Sequence, residues 1–396
     1  MSKKQLLLSA CPLYLVFYMG DALLCCYYTL YFISRGLSEY QQSILLALIP
    51  FCLFIGCNLF SALAKTPSRS LWLFRFCLLA EVILVLIFMF CDNFVAFLIL
   101  IPLIGIVNGA PFALIEGYLV PMVEHQGGNY SFIRLFGSAG YAVSLALGAI
   151  FLRFIPIRDS YLFSSGLFLG AFALSFLFHE KWDFHFSLKR EHQTISEPHR
   201  FHFDKGAVLF VLSYALFYGA YNASTYLFPA RLNGLGFLDA DYSLTRSIGV
   251  VIEIVFLLLI PLIGRVIKGK KLPVVLSGVF LVLSTSMGAF ILEPWSLAFA
   301  FFTLNSIGKA LLFAYQASLL GDIVGEQRLA SVLTVATGGM NLCTAILNLL
   351  SATLIEGIGF QGYFGTIVLI EMLGVALLFF LPKKKTELAV NEALEN

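Results

Sequence analysis

The chain has 396 residues, of which 60% are hydrophobic and 12% charged, with a formal net charge of +2 and a mean hydropathy of +0.90. A soluble globular domain carries about a quarter charged residues, so the composition excludes an ordinary soluble fold. The near-neutral balance offers no footprint for nucleic acid, and continuously apolar runs exclude a membrane β-barrel, whose strands alternate over about 10 residues.

Met1-Ser2-Lys3-Lys4 ahead of an apolar run has the outline of a signal peptide. The run continues from about 6 to 33, too long for such a segment, and lacks a small-residue cleavage site, so it reads as a retained first helix. Further spans follow at about 41–64, 71–91, 94–123, 131–153 and 160–178, then at 206–230, 243–264, 272–291, 296–321, 329–355 and 361–381. Each is near the roughly 20 residues that cross a bilayer as helix. The expected fold class is an all-α membrane protein of twelve transmembrane helices. The most polar stretch divides it into an N-terminal six-helix bundle (1–178), a linker (179–205), a C-terminal six-helix bundle (206–382) and a tail (383–396).

Five of the six histidines, His179, His185, His192, His199 and His202, lie in that linker. Their irregular spacing reads as a solvated loop rather than a metal site. The eight cysteines lie inside apolar spans without metal-type spacing and read as small packing residues. No metal or cofactor is expected. With the N-terminus cytoplasmic, only Arg35, Arg153, Arg158 and Arg231 flank the spans outside. The other flanking Lys and Arg, from Lys3 and Lys65 through Lys189, Arg265, Arg328 and Lys383, fall inside. The positive-inside rule thus places both termini, the linker and the tail in the cytoplasm. A shift of 199 residues lays Gly20 on Gly219, Tyr27 on Tyr226 and Gly109 on Gly308, a weak internal repeat. Six-helix repeats with substrate held near the midplane are a known transporter plan.

Charges at membrane depth are the main functional signal, because each costs about 2.5–3.5 kcal/mol to insert. They are Asp21 in span one, Arg75 and Glu81 in span three, Glu116 in span four, Arg134 in span five, Arg246 and Glu253 in span eight, Lys309 in span ten and Glu371 in span twelve. Glu116 and Arg134 flank one short turn and are expected to meet, about 12 Å deep for Glu116 at 1.5 Å per residue. An Arg fork holds a carboxylate or vicinal hydroxyls by two parallel hydrogen bonds. A structural ion pair that fixes the hairpin is the competing reading.

The segment from Glu116 through Arg134-Leu135-Phe136-Gly137-Ser138-Ala139-Gly140-Tyr141 resembles the lactose permease, or oligosaccharide–proton symporter, family of the major facilitator superfamily. Gly357-Ile358-Gly359-Phe360-Gln361-Gly362-Tyr363 is similar to the family's segment entering helix twelve. Pro67-Ser68-Arg69, the Arg134 stretch and Glu253 also resemble the phenylpropionate permease branch. The resemblance implies that Glu116 and Arg134 bind substrate, with Ser138 and Tyr141 where the family has Cys and Trp. The family's coupling His, Glu and Arg on helices nine and ten have no counterpart here, and Ala64-Lys65-Thr66-Pro67 replaces its Asp-rich loop.

Coupling then falls to other groups. An acidic residue in helix one serves as the proton site in several symporters of the superfamily, which implies that role for Asp21. Glu253 is the second candidate. Lys309 is expected to neutralise one of these acids and set its affinity for a proton. Glu81 and Glu371 are expected to be structural or protonated, and Arg75 and Arg246, near span ends, to snorkel. Tyrosines offer a flat face and one hydrogen bond; Tyr18, Tyr221 and Asn222 are the expected cavity residues.

The reading is a non-enzymatic secondary transporter of the inner or plasma membrane. It would act as a monomer by alternating access, moving a small polar solute, sugar or nucleoside first, with a proton. An aromatic-acid permease, a passive uniporter and a non-transporting receptor with the same fold are the alternatives.

Overall fold

The computed structural model describes residues 3–126, 130–178, 205–267 and 269–382. The linker, its five histidines and the C-terminal tail lie outside the described residues, except Lys205. Among the described residues every regular element is a helix. In the first half these are α1 (Lys3–Cys25), α2 (Tyr28–Ser34), α3 (Glu39–Leu63), α4 (Pro67–Met89), α5 (Phe94–Asn108), α6 (Pro111–His125), α7 (Tyr130–Phe151) and α8 (Ile157–Ser175). Then follow α9 (Lys205–Gly234), α10 (Asp239–Val266), α11 (Lys271–Phe290), α12 (Pro294–Val324) and α13 (Glu326–Phe379).

Helix boundaries follow from local chemistry. The Ser38 hydroxyl accepts from the Gln41 N–H, and the Gln41 side chain accepts from the Ser38 N–H, a reciprocal cap on α3. Thr66 caps α4 with Pro67 at its first position, where the missing N–H is no loss. Asn93 and Glu293 cap α5 and α12 in the same way.

Span one is α1 plus α2, broken at Cys26 and Tyr27. Span four is α5 plus α6, broken at Gly109 and Ala110 ahead of Pro111. Spans eleven and twelve are the two arms of α13, separated by Gly359 at φ 70° and ψ 174°. That left-handed backbone is open to glycine, which has no Cβ to clash. Thr344 donates to the Gly219 carbonyl at 2.9 Å and Ser213 to the Gly374 carbonyl at 2.7 Å. Both arms therefore touch one stretch of α9, which a straight rod of 54 residues could not do.

The chain forms two compact units. One comprises residues up to His199 together with Gly236–Val251, the other Arg200–Leu235 and residues from Ile252 onward. In the first unit α1 runs between α7 and α8. Ser144 donates to the Met19 carbonyl at 2.7 Å and Ser164 to that of Gly20 at 2.8 Å. Small residues allow this approach: a Cβ on Gly140 would collide with the Leu15 carbonyl, and one on Gly56 with that of Ile106, where α3 crosses α5. Ser243 and Ser247, in the stretch of α10 belonging to this unit, donate to the carbonyls of Leu145 and Ala142.

Arg75 reaches across to the C-terminal end of α8. It donates to the carbonyls of Ser175 and Phe178 at 3.0 and 2.8 Å and lies over the Phe176 ring. The Ser175 carbonyl at the end of α8 has no partner within its own helix, and the cation joins the Phe178 N–H in meeting it. Arg246 lies close to Tyr141 and Tyr242.

The second unit is built around α9, with Phe210, Phe217, Leu281, Leu320, Met340 and Val375 in its core. Large apolar side chains also stand exposed on both units, among them Trp72, Phe154, Leu258 and Phe380. A face of that composition is a liability in water and the matched surface in a bilayer. Among the described residues ten helical stretches are long and apolar enough to cross a membrane; one of them, Ser331–Phe379, contains the Gly359 break.

Candidate functional site

Three polar clusters lie at membrane depth. The first joins α6 and α7. Arg134 Nη1 stands 3.9 Å from Glu116 Oε1, an ion pair too long to be a hydrogen bond. The closer partner of Glu116 is Tyr130, whose hydroxyl donates to Oε1 at 2.6 Å and also meets the Tyr14 hydroxyl at 2.8 Å. Arg134 is 56% exposed, and its guanidinium lies over the Phe112 ring at 5.4 Å. Among the described residues it makes no hydrogen bond, so its donors stay available. Tyr18 meets Phe112 edge-on and tilts against Tyr14, and so extends this aromatic floor.

The expected pair is thus brought together, but loosely, with Tyr130 between it and α1. A cue was present in the sequence: Tyr130 lies four residues before Arg134 and shares its helical face. Gly137 seats the Tyr18 ring, since a Cβ there would come within 2.8 Å of it. The Gly137-to-Gly140 stretch is therefore required by the approach of α1. Ser138 is half-buried. Tyr141, two turns beyond Arg134, is engaged elsewhere: its hydroxyl meets Cys26 Sγ at 2.9 Å.

The second cluster joins α1, α4 and α5. Asp21 Oδ1 accepts from Asn108 Nδ2 at 3.1 Å and from the Cys25 thiol at 3.4 Å. The same Nδ2 donates to Glu81 Oε1 at 3.1 Å. Among the described residues neither carboxyl has a cation within ion-pair distance. Glu81 is fully buried, and its Oε2 has no partner among the described residues.

The third cluster lies in the second unit. Lys309 Nζ stands 2.6 Å from Glu253 Oε2, with both side chains largely buried. Of the expected acid partners for Lys309, Glu253 is the one it contacts. Tyr221 requires a correction: it is 2% exposed and stacks on Tyr218, so it packs in the core instead of facing a cavity. Its ring gains more from apolar burial beside Tyr218 than from an open face. Asn222 is half-buried, and among the described residues its amide reaches only the weak acceptor Met340 Sδ at 3.7 Å. Glu371 is fully buried and accepts from Thr285 at 2.7 Å.

Apolar helices with lipid-matched faces and charged groups held inside each bundle define an integral, multi-pass membrane protein with the major facilitator fold. The chain belongs to the MFS_1 like family, whose profile matches residues 7–380, and is a transporter of the major facilitator type. No curated protein sequence matches it significantly. Among solved structures it is similar to a variant of the nucleoside transporter NupG, with TM-score 0.74 and 13% identity over 96% of this chain and 98% of that one. A bacterial homologue of the human lysosomal transporter Spinster gives TM-score 0.71 and 11% identity over 96% and 97%. A variant of the peptide transporter POT gives 0.69 and 12% over 97% and 98%. Likenesses at these identities establish the fold alone.

Proposed function

We propose that this protein is a proton-coupled secondary transporter of a small polyhydroxylated solute, a nucleoside or sugar, whose binding centre is Glu116, Arg134 and the aromatic side chains beside them. The observation that carries this reading is the loose Glu116–Arg134 pair over Phe112, with Arg134 half exposed and Glu116 held by Tyr130. Vicinal hydroxyls bridge such a pair naturally, accepting from the guanidinium and donating to the carboxylate. Tyr14, Tyr18 and Phe112 supply flat faces for a base or a sugar ring. A nucleoside uses both features, and the nucleoside transporter NupG shares the fold. Ser138 and Tyr141 remain candidate contacts farther along α7, and Asn222 in the second unit. The resemblance to the lactose permease family supports the same two charged residues.

For coupling we retain two sites, Asp21 in the first unit and Glu253 with Lys309 in the second. The flanking charges support cytoplasmic termini.

A second reading rests on the 2.6 Å hydrogen bond from Tyr130 to Glu116. If Glu116 stays committed to Tyr130, Arg134 is left for a substrate carboxylate, and the solute is an aromatic acid of the phenylpropionate kind. The test is uptake by purified protein in liposomes, offering labelled nucleosides, sugars and phenylpropionate-like acids with and without an inward proton gradient. Gradient-driven accumulation of a nucleoside or sugar, lost in Arg134→Ala, is the expected result. Accumulation of the acids alone would replace the first reading by the second. Equilibration without accumulation would indicate a uniporter, and binding without uptake a receptor.

A further inference from the structure

The cluster around Asn108 carries more than the single-carrier reading of Asp21. Asp21 and Glu81 each accept one N–H of the same amide nitrogen at 3.1 Å, so the two bound oxygens are no more than about 6 Å apart. An amide orients both carboxyls and neutralises neither. The groups that face the pair come from every helix packed on it. They are Tyr18 and Cys25 on α1, Cys77 on α4 and Tyr141 on α7. The α8 hydroxyls of Ser164 and Ser165 are spent on the carbonyls of Gly20 and Val82. Arg246 of α10 faces Tyr141 and Tyr242. No cation among the described residues offsets the two acids.

Two like charges this close in an apolar bundle do not both persist without a counter-charge. The independent sign of a missing ligand is Glu81 Oε2, an oxygen on a fully buried side chain with no partner among the described residues. The smallest ligand that removes both problems is a proton. The cluster also lies at two helix breaks. Cys25 ends α1 just before the break at Cys26 and Tyr27, and Asn108 ends α5 just before that at Gly109 and Ala110. Discontinuous helices are the usual place for coupling-ion sites in transporters.

We propose that Glu81 and Asp21, bridged by Asn108, form one two-carboxyl proton site in the first unit, with Glu81 as the second carrier. The inference rests on the symport reading above for its purpose, but its test does not. Purified full-length protein in lipid is examined by infrared difference spectroscopy between acid and alkaline buffer, in H2O and D2O, with no substrate. The expected result is a deuterium-sensitive carboxylic-acid band that is lost in Glu81→Gln and displaced in Asp21→Asn and Asn108→Ala. A band unaffected by Glu81→Gln overturns the proposal. A band moved by sodium ions at constant pH overturns it too, since the cluster would then be a sodium site. If Glu81→Gln does not elute as folded protein in gel filtration, the other two variants decide: no displacement in either overturns it.

With a transported nucleoside or sugar in hand, Glu81→Gln is expected to lose at least about tenfold of gradient-driven accumulation while keeping exchange of substrate for substrate. One proton moving down a gradient of one pH unit supplies the free energy of about a tenfold concentration ratio. Unimpaired accumulation in that variant overturns the carrier role. An intact carboxyl band in a protein that accumulates no solute would leave the proton site standing and remove only the symport reading.

Discussion

Replacing Lys309 by methionine keeps the length of the stem and removes the charge. The lysine stands 2.6 Å from Glu253, and the two side chains are 17% and 14% exposed. Deleting one partner of a buried pair strands the other and costs about 3–5 kcal/mol, whereas replacing both is close to neutral. For a unit of 150–250 residues each kcal/mol moves the melting temperature by about 2–4 °C, so Lys309→Met is expected to lower it by roughly 6–20 °C. The double variant Glu253→Gln with Lys309→Met should recover most of that loss. Thermal unfolding of the four proteins in detergent, followed by tryptophan fluorescence, completes the cycle. Additive effects within about 0.5 kcal/mol would refute the reasoning, since contacting charges must couple.

Tyr130→Phe removes a hydrogen bond to the Glu116 carboxylate, and bonds to charged groups contribute about 1.5–3 kcal/mol. If that bond orients the acid for substrate, the half-saturating concentration for uptake should rise about tenfold or more; an unchanged value would show that Glu116 needs no such support. Gly56→Leu drives a side chain into the Ile106 backbone and should sharply reduce the yield of monodisperse protein, whereas Gly166→Leu, where a Cβ meets nothing, should not. Gly359→Ala puts a Cβ on a backbone conformation that is essentially confined to glycine, a penalty of about 1–3 kcal/mol, read as a lower melting temperature with uptake retained per folded molecule. Arg75→Ala removes the side-chain donor shared by the Ser175 and Phe178 carbonyls; protease sensitivity near Phe178 should rise, and Arg75→Lys should restore only part of the protection.

Much of the architecture was legible because the bilayer imposes a length. The expected spans and the observed helices agree within a few residues at most ends, and Gly359 falls in the gap left between the last two spans. The breaks inside spans one and four were not legible, since a hydropathy window sees Cys26 and Gly109 as apolar and the run as continuous. Within the candidate site, Glu116 and Arg134 were found by their charge and their distance from a shared turn. Tyr130 was missed because it stands in the turn, outside the run, and Tyr14 was one tyrosine among many. Tyr221 was misplaced as a cavity residue because periodicity does not tell which of two apolar faces of α9 meets the core. Asn108 was missed because an uncharged amide raises little alarm in hydropathy. Yet it is a lone amide among apolar neighbours from Val95 to Val107, and a buried amide needs partners as surely as a charge does.

The two acids considered for coupling are not equivalent once their surroundings are compared. Glu253 already has a cation at 2.6 Å, and taking up a proton there would strand Lys309 unless the pair opened. Asp21 has only neutral partners, Asn108 and Cys25, so gaining or losing a proton strands no cation among the described residues. Its thiol neighbour has one hydrogen to give and two acceptors within 3.7 Å, Asp21 and Asn108, so the network can be rearranged without being broken. A carrier must accept and release its proton many times with small reorganisation, which favours the site whose partners are neutral. The pair in the second unit is then better suited to hold α10 against α12, and neutralising both of its members should leave coupling intact. Glu253→Gln with Lys309→Met that still accumulates solute on a proton gradient, set beside an Asp21→Asn protein that does not, would assign the proton to the first unit; the reverse pattern would assign it to the second.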